Sequence, residues 1–189
     1  MSTVAITDQR KKIHPHKFTL WLGIGSIIMM FAGLTSAYIV KSSQANFISV
    51  SLPKIFWFAT AVMLLSSITM MLALRNFKQR QMPAYKKLIT ATFVLGVLFI
   101  VLQVIGFTEL TRSGITFTGN VSYSFLYTII GIHAVHVLGG VIALMIMFIR
   151  AFSIKKRNYS SLPVELMGIY WHFVDILWIY LLIFLLMIK

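Results

Sequence analysis

Five long apolar runs constrain the fold of this 189-residue chain more than any other feature. About 20 consecutive apolar residues are enough for a helix to cross the hydrocarbon core of a bilayer. The runs lie at residues 18–40, 55–74, 88–110, 124–148 and 166–188. We therefore predict an all-α membrane protein in which five transmembrane helices form a bundle.

The composition agrees with a membrane protein and excludes several classes of function. Only 11% of the residues are charged, whereas soluble domains contain about 25% charged residues. The net charge of +13 is carried by basic residues between the apolar runs. It therefore indicates membrane orientation, and we expect no nucleic-acid partner. The chain has no cysteine, which excludes disulfides, iron–sulfur clusters and thiolate ligands for metals.

The distribution of positive charge predicts the orientation, because cytoplasmic loops carry an excess of Lys and Arg. One side of the predicted spans holds Arg10, Lys11, Lys12, Lys17, Arg75, Lys78, Arg80, Lys86, Lys87, Arg150, Lys155, Lys156 and Arg157. The other side holds only Lys41, Lys54, Arg112 and Lys189. We predict that the N-terminus is inside and the C-terminus outside.

The chain divides into two predicted parts. Residues 1–17 form a polar, basic, cytoplasmic segment, and residues 18–189 form the five-helix transmembrane domain. The first part contains no apolar core, so we expect no cleavable signal peptide there. His14 and His16 lie in this segment and are candidates for buffering protons at the inner surface.

The fourth run carries two histidines on one helix face. His133 and His136 are three residues apart, and Gly140 lies on the same stripe. A glycine on such a stripe allows a neighbouring helix to approach closely. We therefore expect this face to point into protein.

The fifth run carries ionisable residues that are costly in a membrane and persist only when they are paired or functional. Glu165, His172 and Asp175 lie within one arc of the predicted helix. At 1.5 Å per residue, Asp175 reaches the middle of the membrane, where the histidines of the fourth helix also lie. We predict a hydrogen bond from His133 or His136 to Asp175 or His172.

Several interpretations of these polar residues stay open. The favoured one is a buried hydrogen-bonded network that fixes the last two helices in register. Its members would be His133, His136, Glu165, His172 and Asp175. A metal site would need three or four convergent ligands. Haem ligation would need opposed histidines, whereas His133 and His136 are close together on one helix. A proton-handling role is the remaining interpretation.

Four strings, in this order, resemble subunit III of the haem-copper respiratory oxidases. They are Phe31-Ala32-Gly33-Leu34-Thr35-Ser36-Ala37-Tyr38, the stretch from Phe99 to Gln103, Gly131-x-His133-x-x-His136-Val137, and Tyr170-Trp171-His172-Phe173-Val174-Asp175. Glu165 precedes the last string by five residues, as in that family. The chain has five spans and not the seven of the mitochondrial form. It therefore resembles the short bacterial subunits of the inner membrane.

The resemblance implies a non-catalytic subunit of an enzyme that reduces oxygen to water. Such a subunit packs mainly against the catalytic subunit I, with subunit II in the same complex, and contacts membrane lipids. It binds no redox cofactor, so haem and copper are expected in the partner subunits, while phospholipid is its implied ligand. It also supports proton uptake and durability during turnover. Ile27 and Gly106 stand where many relatives have acidic residues, so the roles of those carboxylates cannot be transferred.

Two alternatives belong to other classes of protein. A proton-coupled transporter would use Glu165, His172 and Asp175, although no span is broken by glycine or proline at mid-membrane, as transport sites often require. A cytochrome b-like electron carrier would be recognised by the absorbance spectrum of the purified chain.

Overall fold

The chain forms five long α-helices in a computed structural model that describes residues 15–43, 53–152 and 161–188. The helices are α1 (Pro15–Ser42), α2 (Ile55–Lys78), α3 (Met82–Arg112), α4 (Val121–Phe152) and α5 (Leu162–Met187). Each of them is long and apolar enough to cross a membrane. This confirms the predicted all-α, five-helix membrane fold.

The helices extend beyond the apolar runs that predict them. With 31 and 32 residues, α3 and α4 are about 46–48 Å long, whereas the hydrocarbon core is about 30 Å thick. The polar flanks stay helical because each added residue also adds a backbone hydrogen bond. A proline stands in the first turn of both α3 and α5, where its missing N–H leaves no helical bond unmade. The division at residue 17 stays a prediction, since α1 already begins at Pro15.

Four helices form a closed ring, and the fifth packs on its outside. In the ring, α2 contacts α3 and α5, and α4 also contacts α3 and α5. The remaining helix, α1, packs on α4 and α5. Among the described residues, α4 and α5 therefore each contact three other helices, and α5 has the largest buried share of the five helices.

The starts of α1, α3 and α5 lie at the same end of the bundle as the ends of α2 and α4. Lys17 of α1 and Lys78 of α2 both contact the start of α5. Lys86 of α3 lies over the ring of Phe152, the last residue of α4, with its ammonium 5.3 Å from the ring centroid. We call this end the basic end. Its orientation relative to the membrane stays a prediction.

Trp171 is the side chain that holds the ring of helices together. It is fully buried, and its indole lies against Gly96 of α3 and Gly140 of α4. A Cβ atom on Gly96 would lie 3.0 Å from the ring, and one on Gly140 would lie 2.9 Å from it. The indole N–H donates to the hydroxyl of Ser66 on α2 at 3.0 Å. The prediction that Gly140 allows a close approach by a neighbouring helix is thus confirmed.

Candidate functional site

Glu165 lies at the basic end and joins three helices. Its carboxylate accepts from the ammonium groups of Lys17 on α1 and Lys78 on α2, each at 3.1 Å. The hydroxyl of Ser161 donates to the same carboxylate at 3.2 Å. These groups are partly exposed, and ion pairs of this kind contribute about 0–1 kcal/mol each. Glu165 therefore fastens α1 and α2 to α5 and stands apart from the polar groups within the membrane.

Several polar side chains of α5 within the membrane face α2. His172 shares a hydrogen bond of 2.6 Å between its Nδ1 atom and the hydroxyl of Ser67. Two tryptophans on the same helix also bond hydroxyls of α2, Trp171 to Ser66 and Trp178 to Thr60, each at 3.0 Å. Because one line of contacts joins the two helices, we name it the α2–α5 seam. It consists of Thr60, Ser66, Ser67, Trp171, His172, Asp175 and Trp178.

Asp175 is the buried acid of this seam. Its side chain is almost fully buried and lies close to Ser67. The proximity to Ser67 does not amount to a hydrogen bond, because neither carboxylate oxygen has a partner at hydrogen-bonding geometry among the described residues. No contact of Asp175 among the described residues therefore requires a carboxylate in place of a neutral side chain.

The seam continues from α2 to α3 through hydroxyl groups. Ser66 donates to the backbone carbonyl of Thr92 at 3.4 Å, and the hydroxyls of Thr69 and Thr92 are 2.9 Å apart. Sequence reasoning missed these hydroxyls. The signal that could have found them is the pair Ser66-Ser67 in the middle of an apolar run.

The two histidines of α4 form no hydrogen bond with the hydroxyls of the α2–α5 seam. His133 is fully buried and stacks on Trp178, with ring centroids 5.2 Å apart and planes 27° apart. The edges of Phe31 and Phe99 complete an aromatic cage around it. Neither ring nitrogen has a hydrogen-bond partner among the described residues. His133 thus contributes to this site by ring packing.

His136 turns back to its own helix, and its Nδ1 atom lies 2.8 Å from the carbonyl oxygen of Ile132. The predicted hydrogen bond from His133 or His136 to Asp175 or His172 is therefore wrong. Helical rise gives the depth of a residue but not the direction of its side chain. Here α5 turns His172 and Asp175 towards α2, whereas it meets α4 through aromatic rings and through Tyr170, whose hydroxyl donates to the carbonyl of His136 at 2.9 Å.

The remaining residues singled out in the sequence are His14, His16, Ile27 and Gly106. His16 and Ile27 line an apolar groove between α1 and α5, while His14 lies outside the described residues. Gly106 packs against Phe56 of α2, and a Cβ atom there would lie 3.0 Å from that ring. An acidic side chain at Gly106 would therefore require the ring of Phe56 to move. In the described part of the chain, no three His, Asp or Glu side chains converge as metal ligands would.

The fold and the seam define a multi-pass helical membrane protein whose buried ionisable groups, His133 and Asp175, lie at contacts between helices. Residues 16–188 match the family model described as cytochrome c oxidase subunit III. The chain belongs to this family, which confirms the resemblance, and it is a multi-pass protein of the bacterial inner membrane.

The chain is similar to subunits of two kinds of oxidase. The chain is 27% identical to cytochrome c oxidase subunit 3 of Bacillus sp. (strain PS3), over 85% of this chain and 80% of that protein. It is 28% identical to cytochrome bo(3) ubiquinol oxidase subunit 3 of Buchnera aphidicola subsp. Acyrthosiphon pisum, over 86% and 81%. The identity is 30% with the protein of the same name from Buchnera aphidicola subsp. Schizaphis graminum, over 86% and 88%.

Proposed function

We propose that this chain is a non-catalytic structural subunit of a haem-copper terminal oxidase that reduces oxygen to water. Subunit I is its main partner, and subunit II belongs to the same complex. The observation that carries the proposal is the family match, which extends over residues 16–188. Haem and copper would be held by the partner subunits, and the electron donor would be cytochrome c or a quinol, since relatives of both kinds are known.

The internal packing suits a supporting role. Trp171 is held between α3 and α4 and is bonded to α2, so one side chain couples four helices. The aromatic cage of His133 adds contacts among α1, α3, α4 and α5. Since close-packed interiors resist deformation, such a bundle offers a rigid surface to a partner subunit.

The basic end is the part of the chain that would support proton uptake. With the N-terminus inside, as the charge bias predicts, this end faces the cytoplasm. His14 and His16 would buffer protons there. The ion pairs of Glu165 with Lys17 and Lys78 would keep the beginning of α1, and with it His16, beside the rest of the bundle.

The two alternative functions have less support. Family membership does not support the transporter. The three residues it would use lie in different settings, with Glu165 in ion pairs at the basic end and His172 and Asp175 on the α2–α5 seam. For an electron carrier, haem ligation needs opposed histidines, whereas His133, His136 and His172 face a tryptophan, a backbone carbonyl and a serine.

Removal of the chain from the assembled oxidase tests the proposal. We expect the remaining complex to keep its full haem content and to begin with substantial activity, and then to lose activity as turnovers accumulate. Adding back the purified chain before turnover should prevent the loss. An oxidase that lacks the chain and holds constant activity over the same number of turnovers would contradict the proposal, as would haem or copper near one per purified chain.

A further inference from the structure

Two buried polar side chains, Gln103 of α3 and His133 of α4, are not part of the α2–α5 seam. Their exposed fractions are 1% and 0%. Among the described residues, neither the oxygen and nitrogen of the Gln103 amide nor the two ring nitrogens of His133 have a partner at hydrogen-bonding geometry. Nearly all buried polar groups in proteins are hydrogen-bonded, either to protein or to ordered water. The aromatic cage of His133 accounts for its ring but not for its nitrogens.

Gln103 faces the interior of the ring of helices, on the side of α4. It lies seven residues after Gly96, which is almost two helical turns, so both residues are on the same side of α3. Gly96 lies against Val141 of α4. Phe99, one turn before Gln103, has its ring centroid 6.3 Å from that of His133. The buried face of α3 that carries Gln103 therefore meets the face of α4 that carries His133.

Two contacts between α3 and α4 place both side chains at the same depth. Towards the basic end, a Cβ atom on Gly96 would lie 3.2 Å from a methyl carbon of Val141. Further from that end, the rings of Phe107 and Tyr127 stack with their centroids 5.2 Å apart. Because the helices are antiparallel, the amide of α3 and the imidazole of α4 each lie slightly more than halfway from the first contact to the second. They therefore lie opposite each other across the contact between the two helices.

A water molecule matches the donors and acceptors of this pair. The Gln103 amide supplies two N–H groups and one acceptor oxygen, and a neutral imidazole supplies one N–H and one acceptor nitrogen. A buried water makes about three hydrogen bonds to such groups. Trp178, which stacks on His133, does not serve as a partner, because its N–H donates to Thr60 at 3.0 Å. An ion would be disfavoured, since two neutral side chains do not compensate its charge.

We propose that one buried water molecule bridges Gln103 and His133 and thereby joins α3 to α4. The water donates a hydrogen bond to the ring nitrogen of His133 that carries no hydrogen, and it accepts a hydrogen bond from the Gln103 amide. The bridge involves only this chain, so it goes beyond the proposed function and does not depend on it.

The first test is a density map of the unmodified chain in its native membrane complex, obtained by cryo-electron microscopy at a resolution that shows ordered waters. We expect a peak within about 2.7–3.2 Å of both a ring nitrogen of His133 and a polar atom of the Gln103 amide. A map in which the amide bonds the imidazole directly would overturn the proposal, and so would a map with no peak between them.

A double-mutant cycle tests the coupling of the two side chains independently. Gln103→Leu and His133→Phe each leave the other polar group without its bridge, so each should lower the unfolding temperature of the full-length chain in mild detergent. The double variant leaves neither group unpaired, so its loss should be clearly smaller than the sum of the two single losses. If Gln103→Leu does not fold, Gln103→Met takes its place, because methionine is also apolar and of similar size.

His136→Phe provides the matched control for this cycle. His136 lies three residues further along the same helix, and its Nδ1 atom is 2.8 Å from the carbonyl oxygen of Ile132. The loss from His136→Phe should therefore add to the loss from Gln103→Leu. Additive losses in both cycles, with His133 as well as with His136, would show that Gln103 and His133 share no ligand and would overturn the proposal.

Discussion

Gly140→Ala is the substitution that tests the packing around Trp171 most sharply. An alanine Cβ atom at this position would lie 2.9 and 3.1 Å from two carbons of the Trp171 ring and 3.1 Å from a carbon of Tyr170. Carbon atoms prefer separations of about 3.5–4.0 Å, so the rings would have to move by several tenths of an ångström. Trp171 has little freedom to do so, because Gly96 also lies against its ring and its N–H is bonded to Ser66.

The neighbouring glycine provides the control. Among the described residues, no packing neighbour lies within 4 Å of a Cβ atom on Gly139, which is exposed in the same helix. Both substitutions stabilise the helix by about 1 kcal/mol, because alanine has a higher helix propensity than glycine. Only Gly140→Ala also overpacks the core, which destabilises the protein by about 1–3 kcal/mol. We therefore expect the free energy of unfolding of Gly140→Ala to be lower than that of Gly139→Ala by about 1–3 kcal/mol.

Unfolding of the two purified variants in the same detergent, followed by tryptophan fluorescence and by circular dichroism, measures this difference. The near-ultraviolet signal of the tryptophans should also change in Gly140→Ala and stay unchanged in Gly139→Ala. Equal stability of the two variants, with identical tryptophan spectra, would refute the close packing of α4 on α5.

Three other substitutions test the polar groups and the orientation. Glu165→Gln should lower the free energy of unfolding by about 0.5–1 kcal/mol, because it weakens two partly exposed ion pairs. The loss should shrink in high salt, and Glu109→Gln at the opposite end should not show it. Asp175→Asn should assemble and turn over like the unmodified subunit, because no hydrogen bond of the described residues depends on the carboxylate. Normal assembly with far slower turnover would instead give Asp175 a role in proton transfer. Ser160→Cys, outside the described residues, should resist an impermeant thiol reagent in intact cells, and Ser113→Cys should react, because the charge bias places them on opposite sides. Ready labelling of Ser160→Cys would contradict the predicted orientation.

The sequence predicts the fold well because each spanning helix leaves a strong local signal. An apolar run of sufficient length indicates a span whatever its neighbours are. Gly140 could also be interpreted locally, since small residues mark close helix contacts in membranes. Both features can therefore be predicted from the residues of a single helix.

The direction of the polar side chains could not be predicted in the same way. Residue spacing places His172 and Asp175 on one face of α5, but the identity of the facing helix depends on packing. In the structure, the indole of Trp171 lies against Gly96 and Gly140, and the polar arc then meets the hydroxyls of α2. The backbone of Arg80, with a φ angle of +61° just after the end of α2, could not be predicted either, because arginine gives no signal for a left-handed helix end.

Purification of the tagged chain from the membrane in a mild detergent tests the central claim most directly. The account predicts that subunits I and II of a haem-copper oxidase co-purify with the chain and that the complex shows haem absorbance and oxygen reduction. Dissociation of this chain alone should leave all the haem with the other subunits. A chain that purifies without any haem-copper subunit, from membranes that contain an active oxidase, would contradict the account.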